Sequence, residues 1–259
     1  MPQTFWQWVT YIIHEYSPLF VTGVKNTMII AITGTVFGFL IGMVVALIKT
    51  IETAATDHFA KKFIVKLMQL VMNVYIEVFR GTPMIVQAMV IYYGLFQNIA
   101  VDKIAAAIFI VSINTGSYMA EIIRGGIISV DPGQREGALS IGMTHAQCML
   151  YVIFPQATRN IMPSIGNEFV VNIKDSSVLS VISVFELFFA GKSAAGTYLK
   201  YFEVFFIIAA IYFVLTFTVT RLLRLLEKKM DGPDTYVIVG SQSDSRSTIR
   251  VNLEAKGNE

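Results

Sequence analysis

The sequence predicts an all-α membrane protein with about five transmembrane helices. Of its 259 residues, 54% are hydrophobic and only 15% are charged, and these proportions lie outside the range that is usual for soluble domains. Apolar stretches recur along the chain, and a helix of roughly 20 such residues crosses a hydrocarbon core of about 30 Å. The net charge of +2 gives no indication of a nucleic-acid partner.

Residues 1–20 are predicted to form an interfacial segment on the outer side of the membrane. The segment contains Trp6, Trp8, Tyr11 and Tyr16 but no long apolar run. Such rings favour the membrane–water interface because one end of each can remain solvated. The first basic residue is Lys25, so the chain lacks the basic start of a signal peptide, and we expect its N-terminus to be retained.

A single transmembrane domain is expected over residues 21–230, and its first span covers about 27–48. Within this span Gly34, Gly38 and Gly42 recur at intervals of four residues. They place three small residues on one helix face, where another backbone can approach closely.

An amphipathic helix is predicted after the first span. Basic residues here include Lys61, Lys62 and Lys66. The apolar stripe consists of Ile64, Leu67, Met68, Val71 and Val74 or Tyr75. This spacing is typical of a helix that lies on the membrane surface or packs against the other spans.

The second predicted span covers about residues 82–99. Thr82 is a plausible N-cap, and Pro83 suits the first helical position because it needs no backbone donor there. Immediately before the span, Glu77 and Arg80 are expected to form an ion pair. We interpret these two residues, with Gly81 and Pro83, as a structural hinge at the cytoplasmic end of the span.

The third predicted span, about 104–123, contains polar residues on one side. Asn114, Ser117 and Glu121 follow one another at intervals of three and four, which places them on or near one helix face. Polar groups inside a span usually face protein or a water-filled path, because lipid offers them no partner.

The fourth predicted span, about 164–189, is interrupted by charge. Glu168, the pair Lys174–Asp175, and Glu186 lie within it, so it cannot be a lipid-exposed helix. An outer connection over 191–200 and a fifth span over about 203–221 follow. The remaining residues, 231–259, form a polar tail that we expect to be poorly ordered.

Basic residues predict the orientation of the chain. With the N-terminus outside, the cytoplasmic loops and tail hold fifteen lysines and arginines, whereas the outer side holds four, Lys25, Lys103, Lys192 and Lys200. The positive-inside rule therefore favours an outer N-terminus and a cytoplasmic C-terminus, which an odd number of spans requires.

A pair of short helices is predicted on the cytoplasmic side, over residues 132–155. Asp131 is a good N-cap with Pro132 at the first helical position, and Gly142 is a natural left-handed terminator. The stretch Thr144–Gln147 repeats the capping pattern, and the second helix should end at Pro155. A DNA-reading helix-turn-helix is disfavoured because the pair lies between spans and lacks a basic face.

Four stretches of this sequence resemble one family of membrane proteins. The run 136–155, with Glu136, Gly137, Ala138, Gly142 and Pro155, is similar to the coupling motif of ABC importer permeases. The runs 75–87, 114–126 and 173–180 resemble signatures of the polar amino acid subfamily. The resemblance covers roughly residues 18–230. It departs from the family pattern at Gly137, where alanine is common, and at Phe154, where leucine is usual.

The resemblance implies a type I ABC importer permease in a bacterial cytoplasmic membrane. Its partners would be ABC ATPase subunits, a second identical or paralogous permease subunit, and an extracytoplasmic solute-binding protein. The five coupling residues would contact the ATPase. ATP and Mg²⁺ would be bound by that partner, because Glu186 stands where a phosphate loop ending in Gly191-Lys192-Ser193 needs its first glycine. No cofactor, metal centre or catalytic site is expected in this chain.

Candidate contacts for an amino acid substrate are polar groups within the spans. Glu121 and Asp175 could bind an ammonium, and amide or hydroxyl groups such as Asn114, Ser117 and Ser176 could bind a carboxylate. Glu168 could line the pathway or brace the helix pair. The alternatives are structural, with Glu121 paired to Arg124 and Asp175 paired to Lys174 or a backbone group.

Two other functional classes remain open from the sequence. An ion-coupled secondary carrier is disfavoured by five spans, by the lack of an internal repeat and by the capped cytoplasmic pair. The second open class is a regulatory or structural membrane subunit. The sequence does not identify the amino acid.

Overall fold

The computed structural model describes residues 2–51, 53 and 58–230. Within these ranges all regular elements are helical. They are α1 (Phe5–Lys49), α2 (Phe59–Gly81), α3 (Met84–Ile91), α4 (Lys103–Ile128), α5 (Pro132–Ser140), α6 (His145–Cys148), α7 (Phe154–Asp175), α8 (Leu187–Tyr198) and α9 (Tyr201–Met230). Short π-helical turns follow α3 and α6, and a 3₁₀ turn follows α7. The prediction of an all-α fold is confirmed, and the predicted polar tail lies outside the described residues.

Three of the described helices, α1, α4 and α9, are long and apolar enough to cross a membrane. The helical stretch His145–Ile182 meets α8 at an angle of 53°, and this bent pair would count as a fourth span. The apolar stretch Met84–Phe96 is shorter. The number of five spans and the orientation of the termini therefore stay predictions.

The N-terminal residues belong to the same helix as the first span. α1 has 45 residues and passes through Pro18, which lacks the N–H that would bond the carbonyl of His14. The Ser17 hydroxyl donates to that carbonyl instead, at 3.4 Å. The sequence had separated residues 1–20 from the span, so this boundary is corrected.

Packing against the other end of the chain explains why the helix continues. Trp8, Ile12 and Phe20 are buried in a cluster with residues of α8 and α9. The Tyr11 and Tyr198 hydroxyls lie 3.2 Å apart. An amphipathic segment lying on the bilayer would leave these side chains without protein neighbours, so tertiary contacts favour the long helix. That this end lies at the outer interface stays a prediction.

The three glycines of α1 pack directly against α4. Methyl groups added to Gly34 and Gly38 would meet Val111 and Thr115, and one added to Gly42 would lie 2.5 Å from Cβ of Met119 and 2.8 Å from the backbone nitrogen of Ala120. Contacts this short require the bare Cα of glycine. The prediction of close helix packing on this face is confirmed.

Replacing Gly42 by valine is expected to destabilise the protein. The new side chain must push against the backbone of α4, and such overpacking costs about 1–3 kcal/mol of unfolding free energy. Thermal unfolding of the purified protein in detergent would measure the loss. Gly196→Val is the matched control, because a methyl group there meets nothing within 4 Å. Equal melting temperatures for the two variants would contradict the packing interpretation.

The amphipathic helix forms as predicted, but its apolar stripe faces away from the chain. α2 buries Val65 and Ile76, and Ile76 packs with Val45 and Ala120. Along the predicted stripe, in contrast, Ile64, Leu67, Met68, Val71 and Val74 are exposed. Tyr75, the other candidate for the last position, is half-buried and donates its hydroxyl to the Ile113 carbonyl of α4 at 2.6 Å. Of the two sequence-based alternatives, the structure does not support packing of this stripe against the chain's other spans.

The break between α2 and α3 lies one residue later than predicted. Pro83 occupies the N-cap position of α3, and Thr82 instead donates its hydroxyl to the carbonyl of Val78, at 2.8 Å. Thr82 therefore closes α2 rather than starting α3. The hydroxyl that the sequence assigned as an acceptor at the start of the second span instead donates to a carbonyl at the end of the preceding helix.

The fourth predicted span is divided differently in the structure. Its helix begins before residue 164, passes Pro163, and gives way to a bend at Ser183, whose φ is 60°. Residues predicted as an outer connection, 191–200, are mostly helical because α8 runs to Tyr198. Glu186 starts α8 by accepting hydrogen bonds from the N–H groups of Phe188 and Phe189, at 2.8 and 2.6 Å.

Candidate functional site

The two short helices between α4 and α7 form largely as predicted. The Asp131 side chain accepts a hydrogen bond from the Gly133 N–H at 2.6 Å, with Pro132 at the start of α5. Gly142 has a φ of 86°. Its N–H donates to the carbonyl of Leu139, and that of Met143 donates to Ala138, which is the pattern of a Schellman motif. Thr144 and Gln147 form a capping box at α6.

Pro155 does not end the second helix, which corrects the predicted border. The π turn Met149–Ile153 leads directly into α7, and Pro155 lies within the first turn of that helix. A wider turn and an early helical position both tolerate a residue without a backbone N–H. The pair is therefore one short helix followed by the base of a long one.

The predicted coupling residues divide into exposed and buried groups. Glu136, Gly137, Gly142 and Pro155 are exposed, and a methyl group added to Gly137 would meet nothing within 4 Å. Ala138, in contrast, is 7% exposed and packs with Val130, Cys148 and Ile153. Ala138 thus joins the helix pair internally, so its predicted place on the partner surface is corrected.

Sequence reasoning missed an apolar residue on the exposed side of this pair. Ile141 is 78% exposed at the end of α5, next to the glycine turn that holds it outward. An isoleucine immediately before a helix-terminating glycine was the available signal. Glu136, Gly137 and Ile141 are named the coupling surface below.

A cavity of about 350 Å³ lies where α2, α4 and α7 meet. Its lining includes Arg80, Tyr118, Glu121, Ser164 and Glu168. This volume is within the usual range of small-molecule sites, about 300–1,000 Å³. The structure thereby brings together two predicted pathway residues, Glu121 and Glu168, with Arg80 from the predicted hinge.

Glu121 is already occupied by cations. Its carboxylate lies 3.0 Å from Lys49 Nζ, 2.9 Å from an Arg124 nitrogen and 4.0 Å from an Arg80 nitrogen. The structural alternative, pairing with Arg124, is what the structure contains, with Lys49 added. The Glu121 carboxylate is therefore already paired with cations of the chain, and its predicted role as a ligand of the substrate ammonium is not supported.

Replacing Glu121 by glutamine is expected to destabilise the protein. The change leaves Lys49, Arg124 and Arg80 close together without an anion, and charged hydrogen bonds of this kind contribute about 1.5–3 kcal/mol to unfolding free energy. Chemical denaturation in detergent would measure the loss of unfolding free energy. Glu77→Gln is the matched control on an exposed carboxylate, where we expect a change within about 0.5 kcal/mol. If Glu121→Gln is as stable as Glu77→Gln, Glu121 does not stabilise the fold by pairing with these cations.

Glu168 and Asp175 are the two predicted pathway carboxylates without a cation. Both are half-buried on α7, seven residues apart, and therefore on one side of the helix. No ion pair or hydrogen bond satisfies either side chain within the described ranges. They repel each other, while Arg80 attracts Glu168. The alternative that Lys174 forms an ion pair with Asp175 is not observed.

The predicted amide and hydroxyl ligands are committed to internal hydrogen bonds. Asn114 donates to the Gln87 side chain at 2.8 Å, Ser117 to the Asn114 carbonyl at 2.7 Å, and Ser176 to the Ile173 carbonyl at 2.9 Å. All three are buried. Asn114 therefore joins α4 to α3, whereas each serine bonds to a backbone carbonyl three residues earlier in the chain. The predicted contact of these three residues with a substrate carboxylate lacks structural support.

Two buried amides that sequence reasoning missed join the helices around this region. Gln87 donates to the carbonyls of Phe79 and Thr82, at 2.8 and 2.9 Å, which ties α3 to the end of α2. Asn172 donates to Thr35 at 2.8 Å and accepts from Thr115 at 3.0 Å, linking α7, α1 and α4. Polar residues in apolar runs were the available signal in both cases.

The predicted ion pair of the hinge does not form. Glu77 is exposed, and no ion pair joins it to Arg80 within the described ranges. Arg80 instead turns toward α4, where its guanidinium lies 5.5 Å from the centre of the Tyr118 ring and near Glu121. Gly81 and Pro83 do flank the break between α2 and α3. A hinge motion there stays a prediction.

Comparison with known proteins shows the family. Residues 54–232 match the model of the family described as "Binding-protein-dependent transport system inner membrane component". The chain belongs to this permease family. Among the described residues there is no group of three or more His, Cys, Asp or Glu side chains that could hold a metal ion.

Relatives of the permease are named as transport proteins. The glutamine transport system permease protein GlnP of Escherichia coli (strain K12) is 34% identical over 216 residues, which cover 82% of this chain and 93% of that protein. The probable amino-acid permease protein YxeN of Bacillus subtilis (strain 168) is 37% identical, over 83% of this chain and 93% of that protein.

A solved structure has the same fold. In the crystal structure of an amino acid ABC transporter with histidines, one chain is 41% identical, with a TM-score of 0.75, and the match covers 88% of this permease and all of that chain. The fold predicted from the resemblance, that of an ABC importer permease, is confirmed, and the permease is the membrane subunit of such a transport system.

Proposed function

We propose that this permease carries a polar amino acid across the bacterial cytoplasmic membrane, powered by a separate ATPase and supplied by a solute-binding protein. The observation that carries the proposal is the cavity between α2, α4 and α7, whose α7 wall contains the carboxylate of Glu168. Asp175 lies seven residues further along α7, on the same side of the helix but outside the lining of the cavity. The names of the similar proteins, which refer to glutamine and amino-acid transport, support the substrate class.

Glu168 and Asp175 are the proposed ligands of the substrate ammonium. A half-buried carboxylate without a cation is costly within a membrane, and an incoming ammonium would neutralise it. Arg80, which lines the same cavity and whose side chain is 45% exposed, is the better candidate for the substrate carboxylate. It replaces the buried amides and hydroxyls in that role.

The coupling surface is the proposed docking site of the ATPase. Glu136 and Ile141 project from a helix pair that capping and the Gly142 turn hold rigid, and Gly137 leaves room for a close approach. ATP-driven movement of the partner would then be transmitted through α7, because the second helix of the pair is continuous with its base. ATP and Mg²⁺ belong to that partner.

A second permease subunit, five spans, an outer N-terminus and a cytoplasmic C-terminus complete the proposal. The excess of basic residues on one side supports the orientation. The exposed apolar stripe of α2 is consistent with contact to lipid or to another subunit.

Transport by the reconstituted complex tests the proposal. Vesicles containing the permease, its ATPase and the binding protein should transport labelled amino acid only when ATP is present on the side of the membrane where the ATPase is bound. Uptake that persists without ATP but stops when the proton gradient collapses would instead indicate an ion-coupled carrier. Normal uptake by a complex lacking this chain would indicate a regulatory or structural subunit.

A further inference from the structure

A groove lined by positive charge lies between α7 and α9, separate from the cavity that α2, α4 and α7 form. Its volume is about 240 Å³. Lys174 contributes from α7, and Arg221 and Arg224 contribute from the end of the apolar run of α9. Val170, Phe213 and Phe217 form apolar wall between them. The groove thus combines three cations with a hydrocarbon-like surface.

The three cations lack carboxylate partners. Within the described ranges, no ion pair involves Lys174, Arg221 or Arg224, whereas Lys49 and Arg124 are held by Glu121. The guanidinium of Arg221 lies 4.9 Å from the centre of the Phe217 ring. That contact orients Arg221 against the groove without neutralising it. Cations beside a membrane span are costly unless an anion or water reaches them.

The apolar wall continues along α9. A second groove, of about 270 Å³, also includes Lys174 and extends past Tyr212 and Ile208 to Phe205. Ile208 and Arg221 are separated by thirteen residues, or about 20 Å along a helix. This length exceeds half of a hydrocarbon core of about 30 Å, so it accommodates an acyl chain of one leaflet.

We propose that this groove binds an anionic phospholipid. Arg221 and Arg224 hold the phosphate where α9 leaves the apolar region, and the flexible Lys174 side chain reaches toward the same phosphate from α7. One acyl chain lies along α9 toward Ile208. Basic pockets between transmembrane helices favour such headgroups because one ligand supplies both the anion and the apolar chain.

Charge favours a lipid over a second copy of this chain as the occupant. A neighbouring protein would have to bring acidic side chains to membrane depth to neutralise three cations, and such residues are costly there. A phospholipid carries its phosphate at the interface and its acyl chains within the membrane. The groove has the same order, with its cations at one end and its apolar wall extending from them.

The experiment compares lipid retention by the intact transporter in nanodiscs. The discs contain phosphatidylcholine mixed with phosphatidylglycerol, and native mass spectrometry counts the phosphatidylglycerol that stays bound. The test variant is Arg221→Gln/Arg224→Gln. Its matched control is Lys103→Gln/Lys192→Gln, which removes two exposed cations outside the groove. A third variant, Arg221→Lys/Arg224→Lys, keeps the charge and checks that the test variant is not simply misfolded.

Loss of two cations is expected to weaken phosphatidylglycerol binding about 30-fold. The control and the lysine variant should bind it as the unchanged protein does, with phosphatidylcholine retained by none of them. Equal retention of phosphatidylglycerol by test and control variants would overturn the proposal, as would equal retention of the two lipids by the unchanged protein. A change in the number of permease subunits caused by the test variant in pure phosphatidylcholine would also overturn it, by assigning the groove to a subunit interface.

Discussion

Replacing Gly137 by leucine is expected to separate the permease from its ATPase while leaving its fold intact. A methyl group at this position meets nothing within 4 Å among the described residues, so the cost is expected to fall on a partner that approaches the coupling surface. Overpacking of this size costs about 1–3 kcal/mol, which corresponds to association weakened by about fivefold to 150-fold. The ATPase that co-purifies with the tagged permease, and the ATP-driven uptake of the complex, would measure the effect.

The control for this change is Gly196→Leu, the same enlargement on α8, where a methyl group also meets nothing within 4 Å. It should leave ATPase recovery unchanged. A Gly137 variant that retains its ATPase and its uptake would move the docking site away from α5. A variant with a lowered melting temperature would point instead to a structural role for the glycine.

Asp175→Asn and Glu168→Gln are each expected to reduce uptake strongly without dissociating the complex. Each change removes one of the two negative charges proposed to hold the substrate ammonium, and a hydrogen bond to a charged group contributes about 1.5–3 kcal/mol. Transport efficiency, measured as initial uptake rate over substrate concentration, should therefore fall by about tenfold to a hundredfold. Both substitutions keep the size of the side chain, so packing around α7 is preserved.

The assay should follow ATPase recovery in parallel, because Glu168 was also considered as a brace for the helix pair. Normal recovery with lost uptake supports the pathway role, and lost recovery supports the bracing role. Glu15→Gln, on an exposed carboxylate of α1, is the control for the loss of one negative charge. Uptake at the level of this control would remove Asp175 or Glu168 from the substrate site.

Local sequence signals predicted the helix pair well because they act over a few residues. Asp131, Gly142 and the Thr144–Gln147 box occupy the positions that their capping chemistry favours. The interval of four between the glycines of α1 likewise predicted one face in contact with another helix. It could not predict that the partner would be α4, because the partner depends on residues more than sixty positions away.

Prolines were the least reliable local signals. Pro18, Pro155 and Pro163 all lie within helices, although Pro155 was predicted to end one. A proline costs one backbone hydrogen bond, and that cost is offset when a nearby hydroxyl such as Ser17 replaces the donor or when a π turn precedes the ring. Neither compensation is visible in a pattern of apolar residues.

The sequence by itself determined the membrane class, the helical content, the capped pair and the family, because composition, periodicity and capping are local properties. Only the tertiary structure decided which polar residues are available for function. Glu121 is neutralised by Lys49 and Arg124, and Asn114 is bound to Gln87, whereas Glu168 and Asp175 remain without a cation. A carboxylate has the same chemistry at each position, and the charges that distant helices bring beside it decide whether it stabilises the fold or is free to bind a substrate.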